Sequence, residues 1–279
     1  REFHQIDWDA SLRDEVTALL RIAIREDMGP LGDATSKALI PKGAIGAANV
    51  VARQAGVVAG LPVGETALAL IDASAKWLPG SQDGDRVVSG QCVVRLEGPA
   101  RSILTAERLL LNLLARLSGI ASLANRYAEA VAGTKARIYD TRKTTPGWRR
   151  LEKYAARMGG ARNHRTGLYD AVLIKDNHLA FGNESTWGTA HFSPAEAVDH
   201  ARQWIKRRVP QLVRQRMLLE IEVDSLTQLE EVLPTKPDVV LLDNMSLEDL
   251  RAAVARRDAV APDVELEASG GVTLDTVRQ

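Results

Sequence analysis

The second half of the chain repeats one pattern: a short apolar run that finishes on polar groups. Residues 136–139 end in Asp140-Thr141-Arg142-Lys143, and 170–174 in Lys175-Asp176-Asn177-His178. Residues 218–221 end in Glu222-Val223-Asp224, 238–242 in Asp243-Asn244, and 264–268 in Ser269-Gly270-Gly271. Helical periodicity fills 194–208, 226–233 and 247–257 between the later runs. Strands alternating with helices demand crossover connections, and hence a parallel sheet. In such folds functional groups gather at the carboxyl ends of the strands. The expectation is an α/β chain whose C-terminal part is of (β/α) barrel type.

The first hundred residues read differently. Leu12, Val16, Leu19, Leu20 and Ala23 keep a helical period, which Gly29 and Pro30 end. Short glycine-bounded runs at 49–52 and 57–59, and a pair at 86–88 and 92–96, suggest strands. From 105 to 132 a stripe of Leu109, Leu110, Leu113, Leu114, Leu117 and Ile120 predicts a long buried helix, with Gly119 as a kink and Gly133 as its stop. Arg108 lies beside that stripe, and the leucines do not account for it. A boundary is expected near 115/116, within this helix, giving an N-terminal unit of residues 1–115 and a C-terminal unit of 116–279.

Composition removes several classes. A single cysteine, Cys92, excludes an intrachain disulfide framework or a multi-Cys metal site, and its place in a short apolar strand suggests an inert thiol. No apolar run approaches the roughly 18 residues of a bilayer span. The start lacks a secretory pattern, so no membrane partner and a cytoplasmic location are expected. The 36 basic and 36 acidic residues cancel, which argues against nucleic acid as a partner.

That neutrality conceals segregation. From Arg142 to Lys175 nine bases face only Glu152 and Asp170, whereas from Leu218 to Gly271 thirteen acids face four bases. Arg149, Arg150, Lys153 and Arg157 share one predicted helix, and ordinary exposure of charge explains them. Arg142, Lys143 and Lys175 stand at strand ends, where converging cations imply an anionic ligand. Glu222 and Asp243 end neighbouring predicted strands. Such acids hold Mg2+ or sugar hydroxyls, or simply neutralise the basic cluster. Ser269-Gly270-Gly271 offers backbone N–H groups ahead of a helical start at 274–277, a turn that can cradle phosphate. His164 sits among polar neighbours in Asn163-His164-Arg165. His178 suits a structural hydrogen bond as well as a ligand role, and His4, His191 and His200 have no metal-site spacing.

These residues resemble one family, the quinolinate phosphoribosyltransferases. The resemblance runs from about residue 20 to the end. It rests on Gly32-Asp33-Ala34-Thr35-Ser36, Gly56 to Pro62, Thr105-Ala106-Glu107-Arg108, Asp140-Thr141-Arg142-Lys143-Thr144-Thr145-Pro146-Gly147, Asn163-His164-Arg165, Lys175-Asp176-Asn177-His178, Glu222-Val223-Asp224, Asp243-Asn244-Met245 and Ser269-Gly270-Gly271. It implies an N-terminal α/β sandwich, a C-terminal incomplete (β/α) barrel and a homodimer. It implies phosphoribosyl transfer from 5-phosphoribosyl 1-diphosphate to quinolinate with decarboxylation, and a requirement for Mg2+.

By the same resemblance Thr141, Arg142, Lys143, His164, Arg165 and Lys175 surround the substrate's carboxylates and phosphates, and Arg108 enters from the partner subunit. Glu222 and Asp243 meet ribose and Mg2+, directly or through water, while Ser269, Gly270 and Gly271 contact phosphate. Lys143, Lys175, Glu222 and Asp243 are the expected catalytic set. The 182–216 connection, with Trp187, His191 and Trp204, is longer than the family pattern. The family also places a further strand beyond Ser269-Gly270-Gly271, so the last barrel strand is expected to be missing from residues 1–279. Two alternatives are a paralogous transferase for another anionic ring and a non-catalytic anion binder.

Overall fold

The computed structural model describes residues 2–182 and 192–279, so Trp187 and His191 lie outside the described residues. The chain divides into two compact units, Gln5–His164 and a second built on Arg165–Gln279.

In the first unit, α1 (Ala10–Met28) and α2 (Ala34–Leu39) precede β1 (Ile45–Val51) and β2 (Gly56–Val57). Then come α3 (Leu61–Ile71), β3 (Lys76–Pro79), β4 (Arg86–Val87), β5 (Cys92–Pro99), α4 (Ala100–Ala130) and α5 (Arg149–Met158). An antiparallel sheet of order β1-β5-β3 packs with α3 and α4, and β2 pairs with β4 in a two-stranded ribbon. The runs expected at 86–88 and 92–96 therefore do not form one hairpin: β4 serves the two-stranded ribbon, while β5 lies centrally between β1 and β3. Cys92 opens β5 with an exposed, free side chain rather than a buried one.

The 31-residue α4 forms because Ile103, Ala106, Leu110, Leu113, Leu114, Leu117 and Ala121 repeat at three- and four-residue steps and bury one face. It runs as one helix past Gly119 and gives way to a turn before Gly133. Ser118 and Ser122 on α4 accept hydrogen bonds from the N–H groups of Ala59 (3.0 Å) and Val57 (2.8 Å), fixing the ribbon against the helix. Gly60 allows the close approach: at φ +96° a Cβ there would stand 2.5 Å from Leu117 Cδ1. Its N–H and that of Leu61 donate to the Asp83 carboxylate at 2.8 and 2.9 Å, so the start of α3 is capped from a distant turn.

The second unit contains β6 (Ala171–Ile174), α6 (Asp176–Phe181), α7 (Pro194–Arg208), α8 (Gln211–Arg214) and β7 (Leu218–Val223). It continues with α9 (Leu226–Val232), β8 (Val239–Asp243), α10 (Leu247–Val260) and β9 (Glu265–Ser269). All ladders are parallel, in the order β6-β7-β8-β9, and among the described residues the sheet stays open. Expected strands thus form at four of the five sites. Residues 136–139 instead make a single parallel bridge, Tyr139 with Arg162, because the partner segment runs alongside for only one rung. The helical start at 274–277 is limited to one turn: Val277 N–H reaches Thr273 O at 2.9 Å, and the run does not continue as a helix.

Register separates the two faces of the parallel sheet. Ile174, Leu219, Ile221, Val223, Val240 and Leu242 point to one side, where they pack with Val198, Ile205, Leu229, Val232 and Ala253 of the crossover helices. Side chains alternate along a strand, so Glu220, Glu222, Leu241, Asp243, Glu267 and Ser269 occupy the other side.

Candidate active site

At the carboxyl ends of β6 to β9 that second face carries the charged groups. Lys175 caps β6 and its ammonium pairs with Glu222 near the end of β7. The lysine side chain is 40% exposed and the glutamate 15%, so a ligand can still reach the pair. Asp243 lies opposite Ser269 in the β8–β9 ladder. Its neighbour Asn244 donates its N–H to Ser269 O at 2.8 Å, closing the sheet just before Gly270 and Gly271, both at positive φ. His178 resolves toward structure, because its Nδ1 accepts the Lys175 N–H at 2.9 Å and fixes the start of α6. Arg165 is buried at the opening of this unit. The turn after it is held by Asp170, which accepts from Thr166 and Gly167 N–H at 2.7 and 3.1 Å.

In the first unit the Thr141-Arg142-Lys143 segment follows the Tyr139–Arg162 bridge. Thr141 Oγ1 accepts the Lys143 N–H at 3.0 Å, and Arg142 O accepts the Thr144 N–H at 2.9 Å. Glu152 on α5 accepts the Thr145 N–H at 3.2 Å and pairs with Arg116, whose guanidinium lies 5.7 Å from the Trp148 ring centroid. Although burial opposes it, hydrogen bonds from Arg116 and Thr145 hold the Glu152 carboxyl below its ordinary value. Arg142 Nε is buried with no hydrogen-bond partner among the described residues, a donor held ready for an acceptor. Arg108 is exposed on α4.

Behind this segment lies a network centred on Lys153, which sequence reasoning assigned to solvent. Lys153 is 1% exposed. Its ammonium meets the Asp140 carboxylate and donates to His164 O at 2.9 Å. Asp140 also accepts from His164 N–H (2.8 Å) and Asn163 Nδ2 (2.7 Å). Asn163, fully buried, accepts the Ile6 N–H at 2.7 Å and donates to Lys153 O at 2.8 Å. Helical charge patterning could not reveal this, because α5 buries Leu151, Lys153, Tyr154, Ala155 and Ala156 together. Burial pushes the Asp140 carboxyl above its ordinary value, and Lys153 with the other donors opposes that rise. Asp140 directly precedes Thr141, so the network anchors both the cationic segment and His164.

Of the sequence-predicted residues, Thr141, Arg142, Lys143 and His164 belong with Arg108 to the first unit. Arg165, Lys175, Glu222, Asp243, Ser269, Gly270 and Gly271 belong to the second. Asn244 and Lys153 were not singled out. The only sequence signals for them are an Asx residue directly after a strand-end acid and a lysine within an apolar helix face. No described helix is long and apolar enough to cross a membrane.

Comparison with known proteins identifies the family. The models of the quinolinate phosphoribosyl transferase N-terminal and C-terminal domains match residues 33–118 and 120–279. The nicotinate-nucleotide pyrophosphorylase [carboxylating] of Mycobacterium leprae is 41% identical over 267 residues, covering 94% of this chain and 87% of that protein. A probable enzyme of the same name from Bacillus subtilis is 36% identical over 94% of this chain and 83% of its own length. The NadC structure from Streptococcus pyogenes superimposes with a TM-score of 0.84 at 35% identity, covering 98% of this chain and 88% of that one. The nicotinate-nucleotide pyrophosphorylase of Francisella tularensis gives 0.85 at 31% identity, over 99% and 90%. The chain belongs to the quinolinate phosphoribosyltransferase family.

Proposed function

We propose that the protein transfers a phosphoribosyl group from 5-phosphoribosyl 1-diphosphate to quinolinate, giving nicotinate mononucleotide, CO2 and diphosphate for NAD biosynthesis. The observation that carries this reading is the sheet face on which Lys175, Glu222, Asp243 and Ser269 stand together at the strand ends. The lysine there suits the anionic substrates, and the acids suit the sugar that becomes electron-poor during transfer.

In the reaction the C1–O bond to diphosphate breaks with its electron pair on oxygen, and the pyridine nitrogen forms the new bond to C1. The carbon–carboxylate bond at ring position 2 then breaks as CO2. The electron pair left on carbon is stabilised by the cationic nitrogen until a solvent proton replaces the carboxylate. Arg142, with its buried Nε seeking an acceptor, suits a substrate carboxylate. Lys143, His164, Arg165 and Lys175 supply further donors for carboxylates and phosphates, with Thr141 supporting the turn that presents Lys143. Glu222 and Asp243 favour positive charge at C1, and Ser269-Gly270-Gly271 offers N–H groups to phosphate.

Glu222 and Asp243 also fit Mg2+, since both are carboxylates on one sheet face and a hard cation takes oxygen donors. They would hold it directly or through water, and the ion would stabilise the departing diphosphate. The protein would act as a homodimer, with Arg108, exposed on α4, entering the neighbouring subunit's site.

The test is CO2 release from quinolinate that requires both 5-phosphoribosyl 1-diphosphate and Mg2+. Nicotinate used in preference to quinolinate would overturn the substrate assignment. Arg142→Ala should lower kcat/KM by about 10²-fold or more. An unchanged value would remove Arg142 from the site.

A further inference from the structure

Asn244 directly follows Asp243 and adopts φ +53°, in the left-handed region; among the described residues the other non-glycine there is Lys236. Asparagine tolerates this conformation better than most side chains, yet it still needs a reason in the surroundings. Three contacts supply one. Its N–H donates to Ser269 O at 2.8 Å, tying the end of β8 to the end of β9. Its Nδ2 donates to Asp243 Oδ2 at 2.8 Å. Its Oδ1 occupies the space beside Gly270: a Cβ on that glycine would stand 2.1 Å from Oδ1 and 2.6 Å from Cγ. Gly270 has φ +87°, so backbone conformation and close approach both exclude a side chain there.

The side-chain chemistry is specific. A carboxylate accepts and cannot donate, so only the amide NH2 can face Asp243. Aspartate at 244 would set two carboxylates together, and glycine would keep the backbone but leave Asp243 free to rotate. We infer that Asn244 is a positioning residue: it locks the Asp243 carboxylate and the Ser269-Gly270-Gly271 turn into one unit. Acid and phosphate turn are thereby presented in a fixed relation. This rests on the phosphoribosyl-transfer reading above.

The decisive variant is Asn244→Gly, because glycine accepts the left-handed conformation without strain and retains the N–H to Ser269. Its thermal midpoint should stay close to that of the wild type, while kcat falls about tenfold and KM for quinolinate is unchanged. Gly270→Ala should also cost about tenfold, and it should cost less when added to Asn244→Gly, because the colliding amide is gone while the strain at φ +87° remains. Equal kcat for Asn244→Gly and wild type, or additive losses in the double variant, would overturn the inference. Binding of Mg2+-diphosphate, followed by calorimetry, tests the positioning apart from turnover. Asn244→Gly should weaken it about tenfold, and unchanged affinity would overturn the inference. Absence of any transfer by the wild type would instead count against the proposed function.

Discussion

Two lysine–carboxylate pairs among the described residues are alike in chemistry and opposed in setting. Lys153 and Asp140 meet in the first unit, with side chains 0% and 11% exposed, and a third and fourth partner complete the network. Lys175 and Glu222 meet at the strand ends of the second unit at 40% and 15% exposure. A charge removed from water needs a full set of partners to persist, and such a set fixes the backbone around it. A charge that still reaches water can exchange its partner for a substrate. The first pair therefore serves architecture, and the second is available for chemistry.

The largest expected effect tests the buried pair. Lys153→Met leaves the Asp140 carboxylate buried without its cation and should cost about 3–5 kcal/mol of stability in urea denaturation. Asp140→Asn/Lys153→Met removes both charges and should recover most of that loss. A double variant as unstable as the single one would mean that packing, not charge, sets the cost.

The exposed pair should respond in the opposite way. Lys175→Ala should lower turnover by about 10² to 10³, or roughly 3–4 kcal/mol of transition-state stabilisation. Its stability should change by less than about 1 kcal/mol, the usual worth of a solvent-accessible pair. A fall in stability matching that of Lys153→Met would erase the distinction between the pairs.

The smallest effect concerns a buried carboxylate that has hydrogen bonds but, among the described residues, no cation. Asp83 accepts from Tyr154 Oη at 2.7 Å as well as from Gly60 and Leu61 N–H, and burial pushes its carboxyl above the ordinary value of 3.8. The same burial, together with the Asp83 charge, pushes the Tyr154 hydroxyl up. A raised acid binds its proton more tightly when folded, so stability is favoured at low pH. It declines as pH climbs from 3.8 through the raised folded value. Asp83→Asn should lack that decline when urea midpoints are compared across this range. Parallel pH curves for variant and wild type would show that the amides and Tyr154 compensate fully for burial.

Much of this was legible in the residue order. The apolar runs ending on Lys175, Glu222, Asp243 and Ser269 became strand ends because short continuous apolar runs and crossover spacing are local properties. The leucine stripe of α4 likewise needed no tertiary information. Residues 136–139 failed as a strand for the converse reason: a ladder needs a partner, and only Arg162 provides one rung. Lys153 was misread because a lysine on a helix normally faces solvent, and only the placement of Asp140 and His164 around α5 makes its burial tolerable.

The sequence by itself determined the α/β architecture and the segregation of charge hidden under a net charge of zero. Those follow from short-range periodicity and from residue chemistry. Tertiary structure alone decided which charges are buried and partnered, that His178 braces α6, and that Asn244 and Gly270 interlock at the end of the sheet. Burial and hydrogen-bond partnership depend on segments far apart in the chain, and spacing along one strand or helix does not encode them.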